Sequence, residues 1–233
     1  MHKVAILQSN YIPWKGYFDI INMVDLFMFY DDVQYTVRDW RNRNKIKTEK
    51  GVEWLTVPCG SDRNRLICEV RLDDHTWQKS HWDKIQRSYR KAQYFDLYKG
   101  FFEDFYLCKQ WESLSDMNQY LVKKISIEIL GIRTVFDDSR KYHVTKQKDE
   151  RIRELLKQVH ATEYLSGPSA KTYLNEDDLM NANIAVTWMD YTGYSEYRQL
   201  FPPFVNEVSI IDLIFNEGPD ATKYMKSFQK GIA

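Results

Sequence analysis

VAILQSNYIPWKGYFDIINMVDLFMFYDD (4–32) decides how this chain is read. Residues 4–7 form a short, unbroken apolar run, which suits a strand covered on both faces in a parallel sheet. Residues 8–14 mix polar and aromatic side chains with a proline, so they read as a loop. From Gly16 and Tyr17 the spacing of Phe18, Ile20, Ile21 and Val24 builds one apolar helix face. LFMFYDD (26–32) then reads as a second buried strand ending in two acids. Strand, loop, helix, strand within about 30 residues is a βαβ unit.

Outward from this unit, residues 33–50 are polar and basic and read as a long loop. VEWLTVPC (52–59) and LICEVRL (66–72) alternate like strands. Helices are expected over 76–91, at about 96–110 and 114–130, with Gly131 as a C-terminal cap. Strands are expected at 133–138, 163–167 and 184–191, and helices at 147–160 and 209–215. The result is an α/β fold: a largely parallel sheet with flanking helices and a helical insertion at about 76–130, all in one domain spanning 1–233.

Bulk properties narrow the function. The 233 residues carry 33 basic and 33 acidic side chains, so global charge gives no reason to expect nucleic acid or an anionic membrane as the main partner. Aromatics reach 15%, with 16 Tyr and 7 Trp, residues that suit ring-binding surfaces. Cys59, Cys68 and Cys108 form no C-x-x-C pair, which leaves zinc and dithiol chemistry without a motif. No apolar run is long enough to span a bilayer, so the expectation is no membrane insertion and a cytoplasmic location.

Candidate chemistry clusters early in the chain. Loops that follow parallel strands at their carboxyl ends are where open α/β sheets bind ligands. On that ground Gln8, Asn10, Tyr11, Trp14, Lys15, Gly16 and Tyr17 are candidate binding residues, with Lys15 and Gly16 placed at a helix start where anions are favoured. The alternative is a loop that plugs the sheet end. Gln34 and RDWRNRNKIK (38–47) form the second cluster: Arg38, Trp40, Arg41, Asn42, Arg43, Asn44 and Lys45. Five cations in ten residues, mixed with Asn and Trp, suit a phosphate-bearing sugar, or equally a solvated face. Segments 8–17 and 31–45 are expected to converge. Asp31 and Asp32 are candidate acids, able to hold a magnesium ion accompanying a nucleotide sugar or simply to cap backbone N–H groups. His81 is a candidate general base or a helix-packing residue. Ser166 and Ser169, in a turn-rich loop, are candidate anion contacts. Glu207 is expected to reach a cleft.

Several long segments carry a resemblance. QSNYIPWKGYFDIINMVDLFMFYDDVQYTVRDWRNRNKIKT (8–48), WLTVP (54–58), HWDKIQRSYRKAQYFD (81–96), YLSGPSAKTYL (164–174) and PPFVNEVSIIDLIFNEG (202–218) resemble the WbqC-like family in order and spacing. One departure is Gln93, where a proline is expected. The resemblance implies a role in O-antigen and related surface-polysaccharide (lipopolysaccharide) biosynthesis. It implies modification of an amino sugar: a transferase placing an acyl or aminoacyl group, glycyl among the options, on a nucleotide-linked amino sugar. The partners so implied are a nucleotide sugar and an acyl or aminoacyl donor; the phosphates of an aminoacyl-tRNA end are a further fit for the basic cluster at 38–47. A non-catalytic binding or assembly protein of the glycan pathway and a glycosyltransferase stand as alternatives.

Overall fold

The structure is a computed structural model and describes residues 1–146 and 148–229. Strand β1 (Lys3–Leu7), helix α1 (Lys15–Asn22) and strand β2 (Leu26–Phe29) form the expected βαβ unit. Further parallel strands are β5 (Val135–Asp138), β6 (Glu163–Ser166) and β7 (Ala185–Trp188), and the sheet order is β5-β2-β1-β6-β7. Both faces are covered, which is why β1 and β2 read as unbroken apolar runs. Ala5, Phe27 and Phe29 face one apolar core. Val4, Ile6, Leu26 and Met28 face the other, with Ile152, Leu155 and Leu156 of α5 (Lys148–Gln158) and Leu179 of α6 (Glu176–Met180). The helix expected over 147–160 is thus present; residue 147 lies outside the described residues.

The helical stretch comprises α2 (Thr76–Tyr89), α3 (Phe95–Glu103) and α4 (Leu114–Lys124). The last two run on into single π turns at Asp104–Cys108 and Ile125–Ile129. Gly131, at φ 67°, then ends the helix as a cap should. Trp82, Ile85, Phe102, Phe105, Leu121 and Val122 belong to the same core as Ala5 and Phe27. α7 (Ile210–Glu217) adds Ile211, Leu213 and Phe215 to it. Among the described residues no helix is long and apolar enough to cross a membrane.

Three local readings need correction. Residues 33–50 are not all loop: β3 (Arg43–Thr48) pairs antiparallel with β4 (Gly51–Thr56). The strand escaped detection because its inward positions include polar side chains. Asn42, just before it, donates to the Val57 carbonyl at 2.9 Å, and Asn44 donates to the carbonyls of Tyr11 and Ile12 at 3.1 and 3.0 Å. Conversely, 66–72 is not a strand. It holds a 3-10 turn (Ile67–Glu69) and isolated bridges at Leu66 and Arg71, and its fully buried apolar residues, Ile67, Val70 and Leu72, lack strict alternation. Finally β2 ends at Phe29, so Asp31 and Asp32 lie beyond the strand.

Candidate functional site

The chain leaves β1 toward β2 and β5 on one side, then returns to β6 and β7 on the other. Where strand order reverses, the loops after β1 and β6 diverge and open a crevice at the carboxyl edge, the place where such sheets take ligands. A cleft of two chambers lies there. The first, about 300 Å³, is lined by Gln8, Tyr17, Tyr30, Arg41, Tyr164, Ser166, Ser169 and Tyr173. The second, about 340 Å³, is lined by Pro13, Asn44, Asn206 and Glu207. Asn10, Trp14, Trp40 and Tyr191 belong to both.

The expected convergence of 8–17 and 31–45 holds. The Tyr11 amide donates to the Trp40 carbonyl at 2.9 Å, and the Arg41 guanidinium donates to the Gln8 side chain. A second donation, to Asp39 at 2.9 Å, fixes Arg41 further. Between Tyr11 and Pro13 the loop bends through Ile12 at φ 37°, a conformation a β-branched residue rarely adopts. The paired donations from Asn44 hold this bend. Gly16 is required one turn on: a Cβ there would sit 2.4 Å from the Trp14 ring, which folds back over the helix start. Trp14 also packs on Tyr191, with centroids 5.2 Å apart, so the two rings form one wall.

The tyrosines around the cleft are neutral hydroxyls at ordinary pH. Burial pushes Tyr17 well up, with nearby Asp31 adding to it, and it donates to the Gln8 carbonyl at 2.9 Å. Burial likewise takes Tyr30 up to about 12 and raises Tyr191. Arg41 is the cation among the residues lining the first chamber.

Other sequence candidates lie elsewhere. Arg38, Arg43 and Lys45 line a separate groove on the far side of Trp40, with Arg43 4.2 Å above the Trp54 ring. Lys15 is buried in an aromatic cage, 4.8 Å from the Tyr194 ring and 5.0 Å from that of Tyr197; burial lowers its pKa to about 8. Gln34 is exposed and donates to Arg63. Tyr11 is fully buried, its hydroxyl 2.8 Å from His81 Nδ1 and 2.6 Å from the Tyr106 hydroxyl. Burial, aided by Lys84, holds His81 down to about 3, against an opposing hydrogen bond with the Thr56 backbone. Asp31 is sealed in, accepting from the Ser9 amide at 2.8 Å, Ser115 at 2.5 Å and Gln119 at 3.1 Å. Asp32 is held by Arg151 and by Ser139 at 2.5 Å. None of Asp31, Asp32 and His81 lines either chamber.

Sequence reasoning singled out neither Tyr30, Tyr164, Tyr173, Tyr191 nor Asn206. The available signal was the high tyrosine count, which says that rings are used but not which ones. The profile of the WbqC-like protein family matches residues 8–224. A Mycobacterium tuberculosis protein named "Uncharacterized protein Rv1507c" is 45% identical over 228 residues, covering 97% of this chain and 98% of the relative. No solved structure matches. With the family match covering nearly the whole chain, the protein belongs to the WbqC-like protein family.

Proposed function

We propose that the protein binds a nucleotide-linked amino sugar in the two-chamber cleft and transfers an acyl or aminoacyl group to its amine, in surface-polysaccharide biosynthesis. The observation that carries the reading is the chemistry lining the crevice between β1 and β6. A buried-edge arginine, side-chain amides and hydroxyls, and a surround of Trp and Tyr faces suit a ligand with phosphate, hydroxyls and rings. Arg41, oriented by Gln8 and Asp39, takes the diphosphate. Tyr17, Ser166 and Ser169 lie within the same chamber for ribose and phosphate oxygens. In the transfer the amine nitrogen attacks the acyl carbonyl of an activated ester or thioester. The new C–N bond replaces the bond to the leaving oxygen or sulfur, which carries off the proton the nitrogen loses. The chain's part is to hold the two reactants in line.

A second reading, a non-catalytic sugar-binding protein of the same pathway, is favoured by one observation. Asp31, Asp32 and His81 are all engaged by interior partners away from the cleft. Calorimetry with UDP-glucose tests the binding shared by both readings. Arg41→Ala is expected to weaken it about ten- to a hundredfold, at roughly 1.4 kcal/mol per factor of ten. Arg41→Lys should recover only part, since an ammonium lacks the guanidinium fork. Unchanged affinity in both variants removes the nucleotide-sugar reading. Mass analysis of an amino-sugar nucleotide after incubation with acyl donors separates transferase from binder.

A further inference from the structure

We propose that the second chamber is a subsite for a primary ammonium group, with Glu207 as its counter-ion. The inference extends the reading above by giving the amine a place of its own, where it binds as the ammonium and becomes the attacking amine after losing one proton to solvent, and it can stand if the nucleotide part falls. The two chambers share Asn10, Trp14, Trp40 and Tyr191 but differ in charge: Arg41 lines only the first, Glu207 only the second. An anionic group is therefore matched on one side of the shared wall and a cationic group on the other.

Three acceptors bear on the second chamber. Glu207 supplies a carboxylate. The side-chain oxygens of Asn10 and Asn206 are buried without a hydrogen-bond partner among the described residues, an unfavourable condition that a donor entering the chamber relieves once the amides turn toward it. The remaining amide, Asn44, is already committed: its nitrogen donates to Tyr11 and Ile12, and its oxygen accepts from the Lys45 amide at 2.8 Å. An ammonium group offers three donors to three acceptors, where a hydroxyl offers one. The rings of Trp14, Trp40 and Tyr191 line the chamber, and aromatic rings stabilise a cation placed over their faces. A hard divalent cation would want an oxygen-rich shell instead of indole walls.

Glu207 is free to act. Its one ion-pair contact among the described residues is Lys45 at 4.0 Å, and its side chain is 76% exposed, so that pair is weak and readily exchanged. The same exposure makes Glu207→Gln safe for the fold.

The test uses free sugars as probes, read by the indole N–H signals of Trp14 and Trp40 in NMR titrations. Glucosamine is expected to shift these signals at least about tenfold more tightly than glucose or N-acetylglucosamine, in which the charged amine is a hydroxyl or an amide. In Glu207→Gln the preference should fall to near unity. Equal binding of the three sugars, no response to glucosamine, or a preference that survives Glu207→Gln overturns the proposal. UDP-glucose binding to wild type and Arg41→Ala is measured alongside. Its failure, with glucosamine selectivity intact, removes the nucleotide reading and leaves the ammonium subsite standing.

Discussion

Residues 8–15 build both the cleft and the sealed interior behind it, and neighbouring positions meet opposite fates. Gln8, Asn10 and Trp14 line the cleft, whereas Ser9, Tyr11, Ile12 and Lys15 are buried away from it. The two regions use similar side chains differently. In the interior, the ionisable groups are closely partnered: Asp31 accepts three hydrogen bonds, Asp212 accepts from Tyr89, Tyr197 and Gln199, and His81 meets Tyr11. At the cleft, the Asn10 and Asn206 oxygens and Arg41 Nε have no partner among the described residues. A satisfied buried network fixes structure, while an unsatisfied group at a cavity wall is open to a ligand. Residue type alone does not separate these roles, and neither does partner count, since Trp77, Trp82 and Ser126 also bury an unpartnered polar atom away from the cleft; position at the cavity wall does.

The largest effect expected from this contrast is on stability. Asp31→Ala strips three donors of their shared acceptor inside the protein and should cost about 2–5 kcal/mol in chemical denaturation. Arg41→Ala, at the cleft, should cost about 1 kcal/mol while weakening UDP-glucose binding about ten- to a hundredfold. Equal losses at the two positions would erase the distinction between a structural interior and a functional rim.

Gly16→Ala sharpens the comparison, because Gly16 sits on the boundary. Its added methyl would meet the Trp14 ring at 2.4 Å, so the indole must move away from the wall it forms with Tyr191. Overpacking of this kind costs about 1–3 kcal/mol. UDP-glucose affinity should drop about tenfold, or roughly 1.4 kcal/mol, and the tryptophan emission should change. Retained affinity with a shifted emission would show that the Trp14 wall is not part of ligand binding.

How far the sequence revealed all this depends on range. β1, α1 and β2 were legible because a strand covered on both faces must be apolar throughout, and that signature is local. β3 was hidden because Asn44 on its inward side, and Asn42 just before it, are polar and spend their hydrogen bonds on neighbouring segments. The cleft's near wall followed from the rule that loops after parallel strands gather at one edge. Of its far wall only Ser166, Ser169 and Glu207 were named. Tyr164, Tyr173, Tyr191 and Asn206 reach it from the other half of the chain. Lys15 shows the same limit from the opposite side. A lysine at a helix start reads as an anion contact, yet Tyr194, Tyr197 and Phe204 close over it.

His81 provides the finest test of the comparison, through pH. In the unfolded chain its imidazole titrates near the ordinary 6.5; in the fold, burial and Lys84 hold it down to about 3. Above pH 6.5 both states are neutral there, and its contribution to stability is complete. As pH falls below 6.5, the unfolded state takes up a proton that the folded state refuses, so stability is lost until the folded value is reached. At about 1.36 kcal/mol per pH unit, the loss between pH 6.5 and 5 is roughly 2 kcal/mol. His81→Gln keeps hydrogen-bonding groups beside Tyr11 without a titrating nitrogen, and its stability should fall less over that window. Asp31 and Asp212 are raised by burial and act in the opposite direction, but they are common to both proteins and cancel in the difference. Parallel curves for the two proteins would mean that His81 takes a proton within the fold. That would move it out of the sealed interior and return it to consideration as an acid–base group.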